Sequence, residues 1–159
     1  MDAYGLGLLV QESILNAPSS QWEWDELPQD PSRIGRRLLG EGGDVLLCHV
    51  VDVGGFIVGV AQAVKGEFLR CQHASTGVVL VRPSARHHGV GRALVRSMVA
   101  TCSALASPEG GKLSVRVSAQ DHVLVALLAS EGWRVEQEVK AGLCVDGVSV
   151  VVRVYATDV

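Results

Sequence analysis

Hydrophobic positions in this chain follow two periods, and the switch between them organises the rest. Between residues 44 and 82 the apolar residues come in short, Val-rich runs separated by turn residues. "DVLLCHVVD" and "GFIVGVAQAV" read as two strands, with Val53-Gly54-Gly55 as the hairpin turn between them. Lys65-Gly66-Glu67 marks a second turn. A third strand then runs from about Cys71 to Arg82, where Pro83 stops it. From Gly89 the period lengthens. Val90, Leu94, Met98, Cys102 and Leu105 recur at helical spacing and predict one buried stripe, with Arg92, Arg96 and Ser103 off it. "SPEGG" ends that helix. "KLSVRVSA" then alternates Leu113, Val115 and Val117 against Ser114 and Arg116, which predicts a strand. Asp121 is placed to cap a second helix running through Ser130 and stopped by Gly132. Two strands near 133–139 and 148–155 follow. Val148, Val150, Val152 and Val154 share one face of the last.

The N-terminal part is less regular. Residues 6–16 fit a strand or a helix equally. "APSSQWEWDELPQDP" reads as irregular and partly acidic. Ser32 is positioned to cap a short helix to about Leu39, ended by Gly40, Gly42 and Gly43. From residue 44 the order is strand, strand, strand, helix, strand, helix, strand, strand. That order predicts a mixed α/β sheet with one crossover helix after the central strand.

Composition narrows the class. A chain of 159 residues suits one domain, expected to span 1–159. With 48% hydrophobic and 19% charged residues, the composition is that of a folded protein rather than a disordered one. A formal charge of −3 argues against a general nucleic-acid binder. Cys48, Cys71, Cys102 and Cys144 form no C-x-x-C pair, and three of them lie in apolar segments. Buried, reduced thiols are expected, with no metal. No signal-peptide pattern opens the chain, and "YGLGLLV" is too short to span a bilayer. A cytoplasmic protein without membrane partners is the expectation.

The chemistry concentrates in "VVLVRPSARHHGVGRALV", residues 78–95. A strand feeds a helix through a loop with two glycines. A helix starting at Gly89 or Val90 leaves its first amides without intrahelical partners, at the end where the dipole favours anions. Glycines remove the Cβ atoms that would block a close ligand, so an anion can sit on the backbone. Arg82, Arg86, Arg92 and Arg96 crowd this loop in a net-acidic chain, which fits a ligand with several phosphates. Gly91-Arg92-Ala93 is not the Gly-Lys-Ser/Thr of a Walker loop, and G-x-G-x-x-G is absent. The pattern present is R-x-x-G-x-G at Arg86, Gly89 and Gly91.

In the context "V-x-P-x-x-R-x-x-G-x-G-x-A-L" at 81–94, that pattern resembles the coenzyme-A-binding motif of the GNAT superfamily of N-acetyltransferases. "SAQDHVLVALLASEGWRVE" is similar to that superfamily's next segment. "GLCVDGVSVVVRVY" is similar to its closing hairpin, and "VDVGGFIVGVAQ" to an earlier one. The resemblance covers roughly residues 45–155. It implies a mostly antiparallel central sheet flanked by helices, with a splayed central strand pair. It also implies acetyl-CoA as acyl donor, its pyrophosphate on amides of Arg86, His87, His88, Gly89, Val90, Gly91 and Arg92. The main chain of Leu80 and Val81 would pair with pantetheine, and Asp121 stands where the superfamily usually has an asparagine.

The resemblance breaks at the catalytic groups. Spacing back from Gly132 puts the superfamily's usual tyrosine, the proton donor to the leaving thiolate, at Leu128. Residues 75–81 hold no carboxylate to match its frequent central-strand glutamate. His73 is the candidate base, because an imidazole with a pKa near 6.5 suits the task. The competing role is a surface histidine at a strand end. Glu67 and the acidic stretch Glu23, Asp25 and Glu26 are alternatives that also fit solvated surface. Trp22 and Trp24 fit an acceptor pocket or core packing. The expected function is acyl-CoA-dependent N-acyl transfer, most simply acetyl to a primary amine on a small molecule or peptide. The acidic stretch favours a cationic acceptor. The rival is a non-catalytic acyl-CoA-binding sensor or interaction module. The Val-rich last strand is placed to pair across a homodimer.

Overall fold

The computed structural model describes residues 2–15, 30–41, 44–66, 74–108, 110–145 and 148–159. The hairpin expected at Gly54-Gly55 joins β1 (Val45–Val53) to β2 (Phe56–Lys65), and β3 (Ala74–Val81) pairs antiparallel with β2. The long helix α3 (Val90–Leu105) carries the chain across to β4 (Lys112–Ser118), which lies parallel to β3. Helix α4 (His122–Ser130) then leads to β5 (Arg134–Val145) and β6 (Val148–Asp158). The sheet has six strands in the order β1-β2-β3-β4-β6-β5, with β3–β4 its one parallel pair.

Two layers cover the sheet because its strands are apolar on both faces. On one face Leu94, Val95, Met98 and Cys102 of α3, with Leu128 of α4, pack on Ala61, Ala63, Val79, Val115 and Val117. On the other, Leu6 and Leu9 of α1 (Ala3–Leu15) pack on Ile57 and Val60. Val10 joins Ile34 and Leu38 of α2 (Pro31–Leu38). The α3 stripe differs from its expected membership at the end. Leu105 is 56% exposed, while Val95, one position from Leu94, is buried.

The undecided N-terminal segment is a helix. Leu6, Leu9, Val10 and Ser13 are all buried, which is helical spacing. Its helicity is supported by a close crossing: a Cβ on Gly7 would overlap the Pro31 backbone, and one on Gly35 the Ala3 backbone. The cap of α2 is Asp30 rather than Ser32. Asp30 Oδ1 accepts from the Ser32 amide at 2.9 Å, and Pro31 occupies the first turn, where no amide is needed. Gln62, buried in β2, donates from Nε2 to the Leu38 carbonyl at 2.6 Å and ties α2 to the sheet. Cys48 and Cys102 are free thiols, and burial raises both above the ordinary thiol pKa. Cys71 lies outside the described residues. Among the described residues no helix is long and apolar enough to cross a membrane.

Candidate functional site

The central parallel pair opens partway along. β3 and β4 are in register from Ala74↔Lys112 to Gly77↔Val115, and the pairing ends there. β3 stays on β2 as far as Gly59↔Val81. Residues 78–81 and 116–118 therefore stand on opposite sides of a gap, and they line a cavity of about 660 Å³. That volume is within the usual small-molecule range.

Register decides which backbone groups face the gap. Arg82, directly opposite Val58, donates its amide to the Val58 carbonyl at 2.8 Å. In an antiparallel ladder hydrogen-bonded pairs alternate with non-bonded ones. Leu80 is thus bonded to Val60, while Val79 and Val81 turn their main-chain groups toward the gap. The superfamily resemblance named Leu80 and Val81 for main-chain pairing. Leu80 supplies a side chain to the cavity instead, and its main chain is directed to β2.

At the head of the gap, β3 leaves through a short 3-10 turn, Pro83–Ala85, into the glycine loop. Arg86 is extended, His87 has φ +63°, and Gly89 caps α3 with φ +83°. Alternation between left-handed and ordinary backbone makes successive amides converge, as in anion-binding nests. The first-turn amides of a 16-residue helix add to them. At Gly91 a Cβ would come within 3.1 Å of Leu127, so the glycine lets α3 begin close to α4. Arg86 donates from Nε to the Val81 carbonyl at 3.2 Å, which anchors its guanidinium beside the gap.

Of the residues named from sequence, Leu80, Val81, Arg86, His87, Gly89, Gly91, Arg92 and Asp121 line the cavity. Asp121 Oδ1 also accepts from the Leu124 amide at 3.0 Å, so it caps α4 as expected. His88 is exposed, its Nδ1 at 2.7 Å from the Arg86 carbonyl oxygen. Val90 packs into the core, its side chain against Gly59. Neither side chain lines the cavity.

The expected crowd of arginines is dispersed. Arg82 points to the other side of the sheet and pairs with Glu12 at 2.5 Å. Arg92 and Arg96 both bind Glu131, at 2.9 and 2.7 Å. The hydrogen bond from Arg96, with Arg92 adding, holds the Glu131 carboxyl below the usual carboxylate range. Much of the local positive charge is thereby spent on joining α3 to α4. Leu128 is 0% exposed and sits in the core under α3, whereas Leu124 and Leu127 form the cavity wall. His73, Glu67, Trp22, Glu23, Trp24, Asp25 and Glu26 lie outside the described residues.

Sequence reasoning passed over Ser13, Arg116, Ser118 and His122, which also line the cavity. The available signal was Arg116, a charge between two inward-facing valines. Among the described residues no cluster of His, Cys, Asp or Glu is arranged to hold a metal ion.

A strand-splayed α/β sheet with a glycine-capped helix start at the head of the gap defines the class of protein. The sequence profile of the acetyltransferase (GNAT) family matches residues 12–129, and the chain belongs to that family. A search of curated proteins finds no match. Among solved structures, an N-acetyltransferase from Staphylococcus aureus Mu50 is similar, with TM-score 0.83 and 15% identity over 99% of this chain and 92% of that one. A ribosomal-protein-alanine N-acetyltransferase from Brucella melitensis gives 0.80 and 20%, over 100% and 96%. A phosphinothricin acetyltransferase from Sinorhizobium meliloti, in complex with AcCoA, gives 0.81 and 21%, over 99% and 83%.

Proposed function

We propose that this protein transfers an acetyl group from acetyl-CoA to a primary amine. The observation that carries the proposal is one continuous cavity joining the Arg86–Gly89–Gly91 cradle to the β3–β4 gap. The cradle fits a diphosphate: nothing lies within 4 Å of a Cβ at Gly89, so the backbone there is open to a ligand. Val79 and the amide of Val81, whose carbonyl is taken by Arg86, offer main-chain groups along the gap, which suits the amide-bearing arm of coenzyme A. When bound, acetyl-CoA supplies a thioester whose carbonyl carbon gains the amine nitrogen and loses the sulfur, which departs as thiolate. The relative in complex with AcCoA supports the choice of donor.

The chain's own residues divide the remaining work. Arg86 and the loop amides bind and orient phosphates. Leu124 and Leu127 present an apolar wall and exclude water from the gap. No side chain at position 128 protonates the thiolate, because leucine has no acidic proton and this one is also buried in the core. A thiol with a pKa near 8.5 can leave without such help. His73 is proposed as the base that takes the proton from the acceptor ammonium so that the free amine can attack, on the chemistry of imidazole alone. The rate of thiol release is then expected to rise through a pKa between about 6 and 7.5, and His73→Ala to flatten that rise. An unchanged pH–rate profile would remove His73 from the mechanism.

Binding of coenzyme A should weaken as salt rises, but gently. With Arg82, Arg92 and Arg96 tied to carboxylates, Arg86 and neutral amides hold the phosphates. A loss of roughly three- to tenfold between 50 and 500 mM salt is expected by calorimetry, since screening acts mainly on exposed charge. A loss of a hundredfold or more would mean that the paired arginines swing to the ligand.

The buried Leu128 keeps one other reading in view, a protein that binds acetyl-CoA without using it. Thiol release from acetyl-CoA, with and without a panel of amines, decides between the two. Amine-dependent release supports the transferase. Tight coenzyme A binding with no release against any amine supports the binding module.

A further inference from the structure

Charge on the second side of the gap points to the acceptor. Val115 and Val117 of β4 are buried under α3 and α4, at 1% and 2% exposure. Side chains alternate along a strand, so Arg116 and Ser118 project to the opposite face, the one that carries α1. By the same alternation Val78 and Leu80 of β3 project there too, since Val79 is in the α3 core. Arg116 is the first β4 residue beyond the last β3–β4 pair, it is exposed, and it lines the same cavity as the cradle. Among the described strand residues that reach the cavity from the α1 face, namely Val78, Leu80, Arg116 and Ser118, Arg116 alone carries charge. The cradle residues Gly89 and Gly91 begin the helix that covers the other face.

We propose that Arg116 selects an acceptor amine that also bears an anionic group, in the manner of a free amino acid or an aminoalkylphosphonate. This rests on the transferase reading above. A guanidinium is permanently charged and presents a fork of donors that matches a carboxylate or phosphonate. A plain alkylammonium arriving beside it meets like charge. An amine with an anion of its own is attracted, and a second positive charge nearby lowers the pKa of its ammonium, which favours the nucleophilic free base. The same residue thus orients the acceptor and discriminates against polyamines and lysine-like cations. This acceptor differs from the cationic one that the acidic stretch at 23–26 suggests, and a panel holding both kinds of amine separates the two.

The test is a panel of free amino acids, each matched with its carboxamide, together with 2-aminoethylphosphonate and spermidine. Wild-type protein is expected to favour the anionic member of at least one matched pair by about 10- to 100-fold in kcat/KM, the range of one charge-assisted hydrogen bond. Arg116→Ala should bring that ratio near one, mostly through KM, and Arg116→Lys should retain part of it. Arg116→Glu should turn the preference to spermidine and the carboxamides. Coenzyme A affinity by calorimetry reports that each variant is folded. Transfer with no advantage to anionic amines, or a ratio unmoved in Arg116→Ala, overturns the inference and leaves the transferase standing. Absence of transfer to every amine, with coenzyme A still bound, overturns the transferase reading and the inference with it.

Discussion

Gly89→Glu is expected to bring coenzyme A affinity below detection in a protein that still folds, a loss of about a hundredfold or more. The fold survives because a Cβ at Gly89 meets nothing within 4 Å. The left-handed backbone at φ +83° adds a strain of about 1–2 kcal/mol for any side chain. Binding does not survive, because a carboxylate beside the loop amides takes their place and repels a diphosphate. Losing two charge-assisted hydrogen bonds at about 1.5–3 kcal/mol each is already a hundredfold or more. Gly89→Ala separates the two effects, since it carries the same strain without the charge, and it should bind within about tenfold of wild type. Thermal melting and calorimetry on both variants are the measurements. A folded Gly89→Glu protein with wild-type affinity would mean that the cradle is elsewhere.

The second large effect concerns stability. Leu128→Tyr inserts a phenol where the superfamily usually carries one, yet it should destabilise this protein by about 2–6 kcal/mol. Leu128 is fully buried among α3 and sheet side chains, so a larger ring overpacks the site at about 1–3 kcal/mol. Its hydroxyl would also be buried without a built partner, at a further 1–3 kcal/mol. At about 2–4 °C per kcal/mol the melting temperature should drop by roughly 4–24 °C. Leu127→Tyr is the contrast. Leu127 borders the cavity, so the ring has room and the cost should be clearly smaller. Equal melting temperatures for Leu128→Tyr and wild type would show that α4 can turn its 128 side chain into the cavity.

That pair of leucines shows how far spacing carries an argument. Counting back from Gly132 locates position 128 in α4, but a helix turns about 100° per residue. A small rotation of α4 decides whether 127 or 128 meets the ligand. The rotation is set by contacts distant in sequence: Arg92 and Arg96 on Glu131, and Leu127 over Gly91. The arginines teach the same point. Their closeness along the chain predicted a shared electropositive loop. Glu12 and Glu131, from other elements, withdraw three of the four from it.

Local sequence by itself determined the elements from residue 44 onward and the place of the glycine loop that starts α3. Period-two and period-3.6 patterns, a proline stop, two glycines and a capping aspartate act within a few residues of themselves. The strands, the crossover helix and the loop at 86–92 follow from them. Only the tertiary structure decided that residues 3–15 are a helix, because that short apolar run suits either state until Gly7 and Gly35 bring α1 and α2 together. Only the structure decided where the β3–β4 pairing stops, and hence that Val79 and Val81 face the gap from one strand and Arg116 flanks it on the other. Those outcomes depend on register and packing between segments far apart in the chain, and no local pattern encodes which partner a strand edge or a charge will meet.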